Sequence, residues 1–489
     1  MRRRYGDSGI SPKADATPNR GSAAYHTGVD IASPLGGKGF GGIVAGMSSH
    51  LVPSRMGRLV RSVARDDSIS VLTRGYGFGA RIWRRVTRGA RSAPMRLLGR
   101  DAVFVRGVEG VELFYDEDRI ARSGAMPALV QETLFGHGSV HGLDGDDHRH
   151  RKATFVDLAY EDSQVERLAP WLEREWRSER EAWLNGGTRS AYDAAVGAFG
   201  RAIMGWAGLP GTPAAKTRWS SRLAQIVDGF GSPYSPAYLL AALNRGWSDR
   251  HAARLIEAVR QGTLNAAAGT ALEMWAHHRD RDGELLTARV AGVELQNSIR
   301  PMIAVARFVA FAAKELHDRP QWRHRIAAEY EQRGALVGGP LAVMFAQEIR
   351  RSAPFVPMLP GIATTDVEIG GQRVAAGGRV VLDLLGTNTD DRSWAHPQRF
   401  DPERFRGVDD FEAIPTFIPH GGAQVSTGHR CPGEKLAIAG LSAGITVLSD
   451  PALTLLGTGL RVNRRRLPTK PASGGRVRAT HSAKRCPFH

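Results

Sequence analysis

Cys431 sits inside the run Phe417-Ile-Pro-His-Gly-Gly-Ala-Gln-Val-Ser-Thr-Gly-His-Arg-Cys-Pro-Gly-Glu434. Glycines precede the sulfur, His429-Arg430 flank it on one side and Pro432-Gly433 on the other, and an apolar helix is expected to start at once. A thiol at a helix N-terminus beside a cation is stabilised as its thiolate. Amides of such a loop can hydrogen-bond a ligating sulfur and tune the metal it holds. A structural cysteine in a turn accounts for the same run equally well. The second cysteine of the chain is Cys486. Two cysteines exclude a disulfide framework, and the lack of a CxxC pair leaves no zinc signature.

Two further groups could do chemistry with that cysteine. Glu348-Ile-Arg-Arg351 sets a carboxylate against a guanidinium at i, i+3 of a helix, a pair that on its own is most often surface decoration. Downstream come Asn388, Trp394, His396-Pro397 and Phe400-Asp-Pro-Glu-Arg-Phe405, where Arg404 is placed to lock onto Glu348 and Arg351 in a buried network. Arg300-Pro301 stands in an otherwise apolar stretch. Proline inside a helix removes a backbone hydrogen bond and costs about 3 kcal/mol, and an arginine buried beside it is expensive unless paired. A surface arginine at a helix end is the plain alternative.

The order ExxR, hairpin, PERF, glycine-rich cysteine loop closely resembles the cytochrome P-450 superfamily, and within it the bacterial fatty acid peroxygenases. The resemblance runs from about Asp67 to Leu460. It is supported by Gly142-Leu-Asp-Gly-Asp-Asp-His-Arg-His-Arg-Lys152, Val293-Glu-Leu-Gln-Asn-Ser-Ile-Arg-Pro301 and Leu382-Asp-Leu-Leu-Gly-Thr-Asn388. The cysteine loop departs from the superfamily pattern, with Gln424 where it has phenylalanine and His429 where it has arginine. The peroxygenase branch shows the same kind of longer loop. In the central helix, Leu295 stands where oxygen-activating members carry the hydroxyl of an acid-threonine pair, and Arg300-Pro301 matches the peroxygenase signature.

The resemblance implies a b-type heme with Cys431 as its metal ligand, since thiolate ligation favours O–O cleavage. It implies a fatty acid whose carboxylate forms a bidentate pair with Arg300 and then serves as the acid-base for peroxide cleavage. Oxidation is then expected near the head group, at the α or β carbon. Catalytic positions are Arg300, Pro301 and Gln131. The last lies in Leu129-Val-Gln-Glu-Thr-Leu-Phe135, where relatives with histidine are associated with decarboxylation and glutamine favours hydroxylation; a glutamine facing solvent is the alternative. His148 and Lys152, i and i+4 on one helix face, are candidates for holding a heme propionate. Hydrogen peroxide and a fatty acid are the expected partners, without a redox protein. Three other readings stay open: a reductase-dependent monooxygenase, a decarboxylase giving terminal alkenes, and a non-enzymatic heme sensor or nucleic-acid binder.

Positioning these residues requires a mainly α fold with small β-sheets. Apolar periodicity predicts helices over Ser163–Trp183, Asp193–Gly208, His251–Arg279 and Glu284–Leu316, the last too long for a surface helix and read as central. Strands are expected at Ala102–Val105 and in a hairpin over Asp366–Val374 turned at Gly370-Gly371. Strands and helices do not alternate, which argues against a doubly wound sheet. The lone Gly75-Tyr-Gly-Phe-Gly-Ala80 is therefore a weak dinucleotide signal, and no GxSxG elbow is present. One catalytic domain over 51–467 is expected, between a flexible N-terminal extension over 1–50 and a loose basic C-terminal tail over 468–489. Lys+Arg outnumber Asp+Glu by 66 to 49, a net charge of +17. The arginines are scattered and lack interleaved aromatics, so no nucleic-acid partner is expected. No run of 18 apolar residues supports a membrane span. The basic start lacks the apolar core of a secretory signal, which makes the cytoplasm the expected location.

Overall fold

Several helices begin where short polar side chains can take over orphan amides. In this computed structural model, which describes residues 66–232 and 235–480, Ser190, Thr212, Ser235, Thr270 and Thr287 each accept the amide hydrogen three residues on. They open α4 (Ala191–Trp206), α5 (Pro213–Gly229), α6 (Pro236–Arg260), α7 (Ala271–His277) and α8 (Ala288–Ala304). Upstream lie α1 (Ala128–Leu134), α2 (Gly145–Ala159) and α3 (Asp162–Leu184); downstream are α9 (Ala306–Asp318), α10 (Pro340–Ser352) and α11 (Glu434–Leu448). The expected extension over 1–50 lies outside the described residues.

α8 is the axis of the helical layer. It packs on α4, α5, α6, α7 and α11, and is buried on every side from Ala291 to Asn297. Gly292 permits the crossing with α6, since a Cβ there would lie 2.8 Å from the Ala253 amide nitrogen. The expected helix Glu284–Leu316 is divided. Leu285 bridges to Arg279 and Thr287 caps, so α8 starts at Ala288. Pro301 cannot donate to the carbonyl four residues back, and α8 closes at Ala304 with Val305 between it and α9. The expected helix His251–Arg279 is corrected likewise. α6 starts earlier and stops at Arg260, where Gly262 takes φ of +70° and the amide of Thr263 turns back to Ala258.

A five-stranded sheet has the order β1-β2-β7-β4-β3. Its strands are β1 (Ser92–Leu97), β2 (Arg100–Val105), β3 (Ile120–Ala121), β4 (Met358–Ala363) and β7 (Arg379–Asp383). The expected strand at 102–105 is β2, and it pairs in parallel with β7 at Val103–Val380. The expected hairpin is β5 (Val367–Ile369) and β6 (Gln372–Val374), with Gly370 and Gly371 both at positive φ as a two-residue turn requires. The C-terminal tail does not begin at Pro468. Through Thr480 the chain is folded: β9 (Val477–Ala479) pairs antiparallel with β8 (Leu453–Leu455), and Val477 is buried. Three-residue strands carry too little alternation to stand out between arginines and glycines.

The main core gathers α3, α4, α7, α8, α9, α10 and α11 around Trp176, Phe199, Trp275 and Phe308. Among the described residues no helix is long and apolar enough to cross a membrane.

Candidate active site

The cysteine loop is fixed at both ends. The Cys431 amide donates to the His420 carbonyl at 3.3 Å, Gly421 takes φ of +100°, and the chain enters α11 at Glu434. Beneath it lies a buried charge cluster that the sequence reading did not identify. Arg350, from α10, donates to Glu434 and to Gln347, and Arg430 Nε reaches the other Glu434 oxygen at 3.0 Å. Two guanidinium groups against one carboxylate leave positive charge beside the sulfur. Burial nevertheless pushes the Cys431 thiol up, and the Glu434 charge adds to it, against the Gly433 amide, Lys152 and Arg350. The expectation that the loop alone favours the thiolate is therefore reversed, and a bound metal would have to supply the difference. Cys431 itself is half-buried.

The ExxR network forms as anticipated. Arg351 Nε and Nη2 each donate to Glu348 at 2.7 Å, both residues are wholly buried, and Arg404 Nε lies 3.6 Å from the same carboxylate. Arg351 also donates to the carbonyls of Asn388 and Pro397, and the Asn388 side chain accepts the Ile418 amide. The network thus ties α10 and the PERF turn to the start of the cysteine loop.

His148 and Lys152, both on α2, are buried against that loop. The His148 ring stacks on His429 at 3.9 Å, and its Nδ1 has no partner. Burial and the Lys152 charge lower its pKa to about 4, so the ring is neutral at pH 7. Lys152 Nζ donates to the carbonyls of Gly428 at 3.0 Å and Arg430 at 2.5 Å, which makes it first a clamp on the loop. Burial brings its pKa down to about 8. The sequence reading missed Arg122, whose Nη1 is buried without a partner and whose charge bears on His429. Glu117, His148 and His429 bring their ligand atoms within 4.8 Å of one another. Arg122, Lys152 and Arg149 all bear on His148, which disfavours a cation there and suits anionic groups.

Arg300 is buried on α8, with 3% of its surface exposed. It donates to Asn297 Oδ1, its Nε has no partner, and its guanidinium lies 5.5 Å from the Phe135 ring centroid. Burial first, and the Arg245 charge second, bring its pKa down to about 9. Asn297 Nδ2 donates to the Phe135 carbonyl at 3.1 Å and to Glu294 at 2.9 Å, and Glu294 accepts the Val140 amide at 2.7 Å. Arg300 is thereby held by a chain of buried polar groups on its own helix, Asn297 and Glu294. Pro301 is exposed between buried neighbours. Gln131, half-buried on α1, lies against Gly142, where a Cβ would come 2.3 Å from its Nε2. The adjacent His141 stacks on Phe135 at 3.9 Å. Burial and Arg300 keep that imidazole neutral.

These residues fit a heme. They offer a half-buried cysteine, a cationic and neutral-imidazole set with unpartnered donors for acid groups, and a second buried cation on the central helix.

Residues 332–448 match the family model for cytochrome P-450. The solved structure of cytochrome P-450SP alpha in complex with (R)-ibuprophen is similar over 84% of this chain and 98% of its own, with 37% identity and a TM-score of 0.77. Ligand-free cytochrome P-450 OleT is similar over 86% of this chain and 98% of its own, at 28% identity and a TM-score of 0.78. An OleT variant in complex with arachidonic acid gives 28% identity and 0.77. Among curated relatives, cytochrome P-450 137 of Mycobacterium tuberculosis is 30% identical over 219 residues, 44% of this chain. The match spans 41% of that relative's length.

Proposed function

The chain belongs to the cytochrome P-450 family, which makes it a heme-dependent oxidoreductase, and we propose that it is a peroxygenase hydroxylating long-chain fatty acids at the α and/or β carbon with hydrogen peroxide. When bound, the heme, read here as heme b, supplies O–O cleavage and oxygen transfer. Cys431 would hold its iron, and Arg122 and His148 its acid groups, with Lys152 fastening the loop.

The observation that carries this reading is Arg300. A guanidinium this buried, bonded to Asn297 with an unpartnered Nε and no carboxylate of its own within hydrogen-bond reach among the described residues, is a receptor for an anion. A fatty acid whose head group meets Arg300 keeps its α and β carbons at the α8 side of the site. Its carboxylate, held there, can pass a proton to and from peroxide. Leu295, buried and without a hydroxyl, cannot. The relative solved with arachidonic acid supports the substrate class.

Product analysis tests the reading. Heme-loaded protein with myristate and hydrogen peroxide should give 2- or 3-hydroxymyristate without NADPH or a reductase. Turnover with reductase and NADPH but none with peroxide would replace this reading with a conventional monooxygenase.

A further inference from the structure

We infer that Arg245 is a second guanidinium of the carboxylate site, gripping the fatty acid head group together with Arg300. The inference rests on the fatty acid reading above and deepens it. Arg245 comes from α6, a different helix, and is 5% exposed. Its Nη2 donates to Asp249 one turn on, while its Nε and Nη1 are buried with no partner. It reaches the same corner as Arg300. A Cβ on Gly136 would lie 2.7 Å from Arg245 Nη2 and 3.0 Å from its Cζ. Gly136 follows Phe135, whose ring lies beneath the Arg300 guanidinium and whose carbonyl accepts from Asn297.

Two buried cations approaching one corner repel, and each has idle donors. That arrangement is costly in an apolar interior. A carboxylate offers two oxygens and about four lone-pair sites, enough to meet Nε of Arg300 and one of the two idle donors of Arg245 together. Charge also balances: Asp249 and the substrate carboxylate oppose Arg245 and Arg300, while Glu294 faces Arg151 at 3.5 Å. Asp249 Oδ1 accepts from Gln296 on α8 at 2.9 Å as well, which keeps the Arg245 fork turned toward α8. The consequence is a site that selects for the ionised acid rather than for chain shape alone. Fatty alcohols and esters of the same length should bind much more weakly.

Calorimetric titration of the heme-loaded protein with myristate and with tetradecanol tests this. Arg245→Gln should weaken myristate about tenfold to a hundredfold, as loss of hydrogen bonds to a charged group does, and leave tetradecanol within twofold. Asp249→Asn should tighten myristate, because the competing anion on Arg245 is gone. An ion pair that only fastens α6 to α8 predicts the opposite. Wild-type myristate affinity in Arg245→Gln, equal losses for both ligands, or unchanged or weaker myristate binding in Asp249→Asn would overturn the inference. If Arg245→Gln does not fold, the sign for Asp249→Asn decides. Arg300→Ala in the same titration reports on the parent reading. Loss there with wild-type binding in Arg245→Gln sinks only the second arginine, whereas wild-type binding in Arg300→Ala sinks the fatty acid site itself.

Discussion

Replacing Arg300 should abolish fatty acid binding and peroxygenation together while leaving the heme in place. Burial, and behind it the Arg245 charge, brings its guanidinium from the usual arginine range down to about 9, and each unit represents about 1.4 kcal/mol. Roughly 4–5 kcal/mol of charge burial is thus uncompensated until an anion arrives, in line with the about 3–5 kcal/mol typical of breaking a buried pair. A carboxylate that recovers even two-thirds of this gains more than a hundredfold in affinity. Arg300→Ala forfeits that gain, and the protein itself should be no less stable, because the variant also removes the unpaired charge. Arg300→Lys should rescue little, since an ammonium cannot reproduce the planar fork that meets Asn297 and a carboxylate at once. Calorimetry with myristate measures the first loss, product formation with hydrogen peroxide the second. A further arm isolates the proton role: acetate should switch on peroxide-driven oxidation of a molecule lacking a carboxylate in the wild-type protein, and not in Arg300→Ala. If Arg300→Ala hydroxylates myristate at the wild-type rate, the substrate carboxylate is not the acid-base and the reasoning fails.

Cys431→Ala should lose the thiolate signature of the reduced carbonyl complex, measured by its absorption spectrum, while Cys486→Ala, outside the described residues, should keep it. Gln131 should direct the reaction to hydroxy acids, so terminal alkene as the main product from myristate and peroxide would contradict its assignment. Asp383 gives a pH signature of the fold. Burial raises its pKa from 3.8 to about 6, against hydrogen bonds from Trp83 and Gly386. A raised carboxyl favours the folded state below pH 3.8, and that contribution, about 3 kcal/mol, fades as pH rises to 6. Thermal unfolding between pH 4 and 6 should show this decline, and Asp383→Asn should flatten it.

What was legible in the sequence was local. The hairpin at Gly370-Gly371, the ExxR pair at Glu348 and Arg351, and the cysteine loop each lie within a few residues, so spacing alone announces them. The helix ends were harder. Gly262 lies just past the end of α6 and Pro301 sits inside the last turn of α8, and periodicity has no term for a single residue that lacks a side chain or a donor. Pairings such as Val103 with Val380 join segments nearly three hundred residues apart. No window of sequence contains both.

The site divides along the same line. Cys431, Arg300 and Gln131 were found because they stand inside recognisable motifs. Arg122, Arg245 and Arg350 were not, because each matters through groups brought to it by folding. Their signal is visible after the fact as charge in excess: Arg245 on α6 and Arg300 on α8 are both buried, and among the described residues Asp249, four residues from Arg245, is the single carboxylate bonded to either. An interior that tolerates such an imbalance does so at a cost no packing term recovers. The same cost is what makes the corner at Phe135–Gly136 selective. An uncharged chain of equal length fills the space and leaves the penalty standing, whereas an ionised head group removes it, so the energy stored in the free protein becomes discrimination in the complex.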